Sequence, residues 1–247
     1  MHRSEVGGVW AWGSVHVLEV EREFEEVLRR QLGAFSRAQA NAAGMSDRSL
    51  AARCRAGRIQ RLYRGAYVHF SGPVPWETRL WAAWLAYGPE AALADETALR
   101  QYGIYRGESD VIRLEIPHRR RLRAEAGVAI TRTRDFAHRV LESREPPMVR
   151  LEVAVLTVAS RRARPDDAAA LVLDACRQRR TTPQRLLAEL ARMQQLPGHG
   201  LLVQIVSDPC GAAVQVATVL RARSWPGLPT ACGPECPIGL GNAANLD

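Results

Sequence analysis

The chain contains no lysine, so arginine supplies all 34 of its basic residues. Together with the abundance of alanine, this absence indicates a GC-rich coding bias, which explains part of the arginine content. The formal charge is nevertheless +8, because only 26 residues are acidic. Each phosphate that a cation neutralises releases condensed counterions, so this balance favours a polyanionic partner. Nucleic acid is the first candidate.

The chain also lacks long hydrophobic runs. None approaches the roughly 18 residues that a membrane span needs, and the first residues lack the basic-then-apolar order of a signal peptide. We therefore expect a cytoplasmic protein with no membrane partner. Its five cysteines are scattered, and in a reducing compartment they are expected to be buried thiols and not disulfides. Cys232 and Cys236 have no second pair of ligands nearby, so no zinc site is predicted.

Signatures of catalysis are missing as well. The six histidines show no metal-ligand spacing, and neither a nucleophile elbow nor a glycine-rich phosphate loop is present. The adjacent carboxylates Asp95 and Glu96, like Asp166 and Asp167, lie where helices are predicted to begin. We expect them to be first-turn charges that the helix dipole stabilises. The sequence therefore predicts no enzymatic activity, no metal and no cofactor.

The length and composition suit a globular protein. At 247 residues, 47% of them hydrophobic, the chain can bury an ordinary core. Segments with helical and with strand periodicity predict an α+β fold that begins with a winged helix-turn-helix. The predicted parts are a disordered extension (residues 1–20), the winged helix-turn-helix (21–72), a small α+β domain (73–149), a helical region (150–207) and an irregular tail (208–247).

An amphipathic helix opens the predicted DNA-binding part. Phe24, Val27, Leu28 and Leu32 recur at helical spacing ahead of Gly33, so we expect them to share one apolar face. Glutamates near the start and arginines near the end suit the helix dipole. The sequence therefore predicts one helix that ends at the glycine.

Two short capped helices follow. Ser36 caps the first, which stops at Gly44, and Ser46 caps the second, which stops at Gly57. Two alternating runs joined at residues 64–65 then predict a β-hairpin. Two capped helices joined by a tight turn are typical of a helix-turn-helix, and a hairpin directly behind it is typical of a wing.

The remainder of the chain is predicted from similar signals. A core helix carrying Trp81 and Trp84, a further short helix and two strands are expected before residue 149. Four helices are expected from residue 150 onward, broken at Pro165, Thr181 and Pro197.

The second helix of the motif carries the candidate recognition surface. When residues are placed every 100°, Leu50 and Cys54 are expected to face inward beside Ala51. The opposite face then holds Arg48, Ser49, Ala52 and Arg55. Such a face suits the major groove, since arginine can bond guanine bidentately and serine can bond a base edge or a phosphate.

Four further arginines are predicted to contact phosphates. Arg53 lies on the flank of the helix, and Arg58, Arg61 and Arg64 lie at its end and along the hairpin. These contacts would set register and affinity. A solvated basic face on a helical bundle is the alternative interpretation of all these arginines.

A second basic cluster lies in the loop between the two strands of the middle region. It consists of His118, Arg119, Arg120, Arg121 and Arg123. This loop is a candidate contact for a phosphate backbone or for an acidic partner. A solvated turn in an arginine-rich chain is the competing interpretation.

Several of these segments resemble a known family. The pieces are RAQA in the first capped helix, the GMS turn, the hairpin GRIQRLYRGAY and the helix pair VLDACRQRRTTPQRLLAEL. They are similar to actinobacterial proteins with an AbiEi-type antitoxin N-terminal domain, the antitoxin of type IV toxin-antitoxin systems. The similarity runs from about Val27 to about Val206.

The resemblance implies a function. It implies a winged helix-turn-helix that binds operator DNA and represses transcription, followed by a domain that supports antitoxicity or oligomeric contacts. It also implies a cognate toxin as partner. The matching DNA-binding positions are Arg48, Ser49, Arg53, Arg58, Arg61 and Arg64.

Many members of this family add a C-terminal domain similar to very-short-patch-repair endonucleases. The metal site of such a domain needs an aspartate followed by a Glu-x-Lys-type pair. Here the domain would begin after Ser207, where Asp208, Glu235 and Asp247 are the only acidic residues. A nuclease metal site cannot be built from these residues without lysine. We therefore predict a truncated or degenerate remnant.

Three functions compete at this point. The leading one is a non-catalytic DNA-binding repressor of antitoxin type that acts on double-stranded DNA, with its own promoter as the expected target. The second is an endonuclease-related protein that has lost its active site. The third is a module that binds a toxin or another acidic partner through its basic surfaces without specific DNA recognition.

Overall fold

The computed structural model describes residues 21–208, except residues 106 and 108. The described chain contains ten helices, when the helix at residues 21–30 is included, and eight strands. The predicted α+β class is therefore confirmed. The predicted N-terminal extension and nearly all of the predicted tail, including Cys232 and Cys236, lie outside the described residues.

The described chain forms two compact units. Unit 1 runs to Ala98 and resumes over Gly107–Arg150, and unit 2 comprises Leu99–Arg106 and the chain from Leu151. Unit 1 begins with helix α1, described over residues 21–30. The elements that follow are β1 (Ala34–Ser36), α2 (Arg37–Ala42), α3 (Asp47–Arg55), β2 (Gln60–Tyr63), β3 (Ala66–Val68), α4 (Trp76–Tyr87), β4 (Ala92–Leu93), α5 (Asp95–Gln101, which continues into unit 2), β5 (Ile112–Pro117), β6 (Val128–Thr133), α6 (Phe136–Arg139), β7 (Val140–Leu141) and β8 (Met148–Val149).

Unit 1 contains two sheets. The first is antiparallel, with strand order β1-β3-β2, and the second has order β6-β5-β4-β8-β7. In the second sheet β5 pairs with β6 in parallel, and β4 pairs with β8 in parallel. Helix α4 contacts strands of both sheets and buries Leu80 and Trp81. Residues 34–36 form β1, for which no strand was predicted. Three residues are too few to show an alternating pattern in the sequence.

A small core lies beneath the first sheet and the short helices. Phe35, Leu50 and Ile59 are buried there, and α1 contributes Phe24, whose ring centroid lies 5.4 Å from that of Phe35 in an edge-to-face contact. The core explains why a helix, a strand and a hairpin assemble around α2 and α3.

The predicted apolar face of α1 is wrong at its last position. Leu32 is 48% exposed, and Gln31 is 3% exposed in its place. The helix stops at residue 30, and Leu32 has a φ of 52°. The chain therefore leaves the helical path before Leu32, and the helical spacing no longer sets which side chain faces inward.

Unit 2 contains the helices predicted after residue 150. They are α7 (Leu151–Ser160), α8 (Pro165–Arg177), α9 (Pro183–Leu190) and α10 (His199–Ser207). Helix α7 is buried over nearly its whole length and contacts the other three helices. The hydroxyl of Thr181 donates a hydrogen bond of 2.9 Å to the carboxylate of Glu152 in the interior. Pro165 and Pro183 begin α8 and α9, a position that suits proline.

Within the described part of the chain, no helix is long and apolar enough to cross a membrane.

Candidate nucleic-acid interface

Local hydrogen bonds fix where α2 and α3 begin. The Ser36 hydroxyl accepts from the backbone N–H of Gln39 at 3.1 Å, and the Gln39 side chain accepts from the backbone N–H of Ser36 at 2.8 Å. This is a capping box. The Ser46 hydroxyl likewise accepts from the backbone N–H of Ser49 at 3.2 Å. Both caps are as the sequence predicts.

The two helices also end in the same way. The N–H of Met45 donates to the carbonyl of Ala40 at 2.9 Å, and the N–H of Arg58 donates to the carbonyl of Arg53 at 3.0 Å. Gly44 and Gly57 precede these donors with φ of 77° and 67°. This is the Schellman arrangement, which places a left-handed residue after the helix and therefore favours glycine. It turns the chain sharply into α3 and then into the hairpin.

The predicted outward residues of α3 lie at the surface. Arg48, Ala52, Arg53 and Arg55 are exposed, and Ser49 is half-buried. On the other side Leu50 is buried and packs with Phe35 and Ile59, and Cys54 is partly buried against the same core.

The prediction for Ala51 is wrong. Ala51 was expected to face inward beside Leu50 and Cys54, but it is exposed. A helix of nine residues that packs through Leu50 and Cys54 buries only a narrow stripe. The methyl group of Ala51 lies beyond the edge of that stripe.

The hairpin places three further arginines at the surface. Arg58, Arg61 and Arg64 are exposed. The hairpin turn is held on one side by the N–H of Arg37, which donates to the carbonyl of Gly65 at 2.8 Å. On the other side the N–H of Arg64 donates to both carboxylate oxygens of Glu125, at 3.1 and 3.0 Å. The turn is therefore fixed to α2 and to the loop after β5.

Charge is very unevenly balanced in this segment. Residues 34–70 contain seven arginines and one acidic residue, Asp47. Arg37 and Asp47 form an ion pair between the first residues of α2 and α3, and the hydrogen bond and charge of Asp47 raise the pKa of Arg37. Among the described residues, the other six arginine side chains of the segment have no acidic partner.

The second basic cluster is only partly free. Arg119 forms an ion pair with Glu90, and the Nε atom of Arg120 lies 3.7 Å from the same carboxylate. Arg120 is half-buried; burial, and then the charge of Arg119, lower the pKa of its guanidinium. His118, Arg121 and Arg123 are exposed.

Three residues around this cluster were missed by sequence reasoning. Glu90, Glu125 and Tyr87 hold the loop or its arginines, yet they carry no motif. The Tyr87 hydroxyl donates to the carbonyl of Arg123 at 3.0 Å and accepts from the N–H of Glu125 at 2.9 Å. Partners this far apart along the chain leave no local signal in the sequence.

No other group in the described chain suggests a separate chemical centre. Three or more His, Cys, Asp or Glu side chains are nowhere grouped as metal ligands within those residues. Cys54 and Cys176 are free thiols, and burial raises the pKa of the Cys176 thiol.

Comparison with known proteins finds a family similarity in the first part of the chain. Residues 22–68 match the model of a family described as transcriptional regulator, AbiEi antitoxin. These residues include α2, α3 and both strands of the hairpin. The family similarity therefore covers the segment that holds the unpaired arginines.

Whole-chain comparisons add less. No curated protein matches the chain. A solved structure with a similar chain path is the crystal structure of the RV2827C protein from Mycobacterium tuberculosis. It is 16% identical, the match covers 80% of each chain, and the TM-score is 0.49.

Proposed function

We propose that this protein is a DNA-binding transcriptional repressor of antitoxin type, without catalytic activity of its own. Residues 21–72 act as a winged helix-turn-helix, in which α3 is the recognition helix and the hairpin of β2 and β3 is the wing. The target is double-stranded operator DNA, with the protein's own promoter as the expected site. A cognate toxin is the expected protein partner.

One observation carries this proposal. Six arginines of residues 34–70 are exposed without an acidic partner among the described residues, and the single acidic residue there, Asp47, is already bound to Arg37. A solvated basic surface gains nothing from leaving these charges together, because like charges repel one another. A phosphate backbone relieves the repulsion and releases counterions. The match to a regulator family over residues 22–68 supports the same conclusion.

The arginines divide into two roles by position. Arg48 and Arg55 lie on the exposed side of α3, where a helix in the major groove presents side chains to base edges. Ala52 lies between them and is small enough to let the helix axis come close to the bases. Arg61 and Arg64 lie on the hairpin and are assigned to phosphates, and Arg53 and Arg58 are assigned to phosphates at the end of the helix.

The two roles predict two different defects in DNA binding. Replacing Arg48 or Arg55 with Ala is expected to cost about 1 to 3 kcal/mol on the preferred site and to reduce discrimination between sites. Replacing Arg61 or Arg64 with Ala is expected to weaken specific and scrambled duplexes equally, and to lower the salt slope of log K by about one unit for each phosphate lost.

The measurement is a binding titration at several salt concentrations. The probes are a duplex from the region upstream of the gene and a scrambled duplex of the same composition. Arg185→Ala, which removes an exposed arginine of α9 in unit 2, is the matched control and should bind like the parent. If all four variants bind both duplexes with the same affinities as the parent, the proposal is refuted.

A further inference from the structure

The loop after β5 has an unusual path. Strands β5 and β6 are consecutive and pair in parallel, from Ile112 beside Val128 to Pro117 beside Thr133. The chain must therefore return along the full length of the strand, about 20 Å for six residues. Parallel neighbours usually need a crossover of a dozen or more residues. Here residues 118–127, which we name the return loop, cover this distance with ten residues.

The return loop has little slack. Ten residues reach about 33 Å when fully extended, so more than half of that reach is used in returning along β5. Two side chains also hold the loop backbone. Arg132 of β6 donates to the carbonyls of Arg120 and Leu122 at 3.2 and 2.9 Å. Tyr87 of α4 holds Arg123 and Glu125 through its hydroxyl.

The loop also bonds to the hairpin. The Glu125 carboxylate accepts the backbone N–H of Arg64, the first residue of the hairpin turn. Arg123 is two residues from Glu125, so their Cα atoms are at most about 8 Å apart. Arg121 is at most about 15 Å away on the same basis. These distances are comparable with the width of the major groove, about 12 Å.

The charges of the return loop are divided. Glu90 neutralises Arg119 and also lies near Arg120. Arg121 and Arg123 are exposed, and neither has an acidic partner within the described part of the chain. A loop with a fixed backbone therefore presents two uncompensated guanidinium groups beside the turn of the hairpin.

We infer that the return loop contacts the DNA phosphate backbone through Arg121 and Arg123, as a second contact beside the wing. This inference rests on the proposed DNA-binding function. The partner is DNA because the two arginines continue the unpaired arginines of residues 34–70, and the bond from Arg64 to Glu125 joins the two sets. The held backbone reduces the entropy that the loop would lose on binding.

The test compares two double variants that remove the same charge. Arg121→Ala with Arg123→Ala removes the proposed contact, and Arg177→Ala with Arg185→Ala removes two exposed arginines of unit 2. Each protein is titrated with the upstream duplex at several salt concentrations. Hydroxyl-radical footprinting of the same complexes then maps the protected sugars.

The loop variant is expected to lose roughly tenfold in affinity at low salt and about two units of salt slope, one for each phosphate. It should also lose protection at backbone positions next to those that Arg61→Ala and Arg64→Ala lose. The unit 2 variant should keep the affinity, the slope and the footprint. All proteins are first compared by thermal melting, where no change is expected at exposed, unpaired positions.

The failures of the two proposals are distinguishable. A parent protein that does not bind the duplex overturns both. If the parent binds and Arg48→Ala weakens binding, but the loop variant keeps its slope and footprint, only the inference about the loop is overturned. Equal losses in both double variants also overturn it, since net charge alone then explains the effect. A loop variant that binds DNA normally but no longer binds an acidic protein partner would assign the loop to that partner.

Discussion

The two halves of unit 1 use arginine in opposite ways. In the strands and loops that follow α4, several arginines are tied to acidic side chains by ion pairs: Arg113 to Glu96, and Arg139 to Glu115. In residues 34–70 only Arg37 has an acidic partner among the described residues. Composition cannot separate these uses, because a GC-rich coding bias would place arginine in both. The difference lies in the scarcity of acidic residues in residues 34–70 and in where the acidic residues of the other half fall once the chain is folded.

The tied arginines do structural work inside the second sheet. Glu115 of β5 is 1% exposed, and Arg139 bonds both of its carboxylate oxygens, at 2.6 and 2.9 Å. A buried carboxylate needs such a partner, since an unpaired charge in the interior is very costly. The exposed arginines of α3 have no such structural role, and they have no acidic partner among the described residues.

The largest effect is expected when the buried pair is broken. Arg139→Ala leaves Glu115 uncompensated and should lower the free energy of unfolding by about 3 to 5 kcal/mol. Arg53→Ala, at an exposed and unpaired position, should change it by no more than about 0.5 kcal/mol. Urea denaturation of both variants measures the contrast. The double change Glu115→Leu with Arg139→Met should recover most of the loss. Similar stability for Arg139→Ala and Arg53→Ala would remove the distinction between tied and free arginines.

A middle-sized effect is expected at the start of α3. Ser46→Ala removes the hydroxyl that accepts from the N–H of Ser49 and should cost about 1 kcal/mol of stability. DNA affinity should fall with it, because Arg48 lies in the first turn that the cap orders. Ser46→Asp keeps a side-chain acceptor and should retain the stability. Thermal melting of both variants therefore tests whether the acceptor atom, and not serine as such, stabilises the helix. Loss of stability in both variants would contradict this role of the hydroxyl.

The smallest effect is expected from freeing a tied arginine. Glu90→Gln releases Arg119, which is 69% exposed and pairs with Glu90. If the return loop contacts DNA, the salt slope of binding should rise by about one unit as one more phosphate is neutralised. Binding titrations over a range of salt measure the slope. Asp174→Gln, a change of equal charge on α8, should leave the slope at the parental value; a rise in both variants would show a general charge effect.

The site residues themselves remain predictions, as do the boundaries of the five parts predicted from the sequence. The structure reduces the number of candidate contact residues in the second basic cluster. Of the five residues of the second basic cluster, Arg119 and Arg120 lie beside Glu90. Arg121 and Arg123 are the arginines of the cluster that have no acidic partner in the described part of the chain.

The sequence by itself determined the elements whose signals are local. Ser36, Ser46, Gly44 and Gly57 set the limits of α2 and α3, because caps and Schellman turns are hydrogen bonds between residues a few positions apart. The hairpin and the helices of unit 2 followed from periodicity and from proline in the same way. Within α3, the outward placement of Arg48 and Arg55 needed only the helical repeat.

Only the tertiary structure decided which arginines are free. Pairs such as Arg139 with Glu115, or the N–H of Arg64 with Glu125, join residues 24 and 61 positions apart. No local pattern encodes such a pair, since the charges meet only after the sheets and α4 have packed. The parallel return of β5 to β6, the exposure of Leu32 and the pairing of β1 with β3 were set by the same packing. The physical reason is that hydrogen bonds between near neighbours depend on the order of residues, whereas burial and ion pairing depend on the chain having folded.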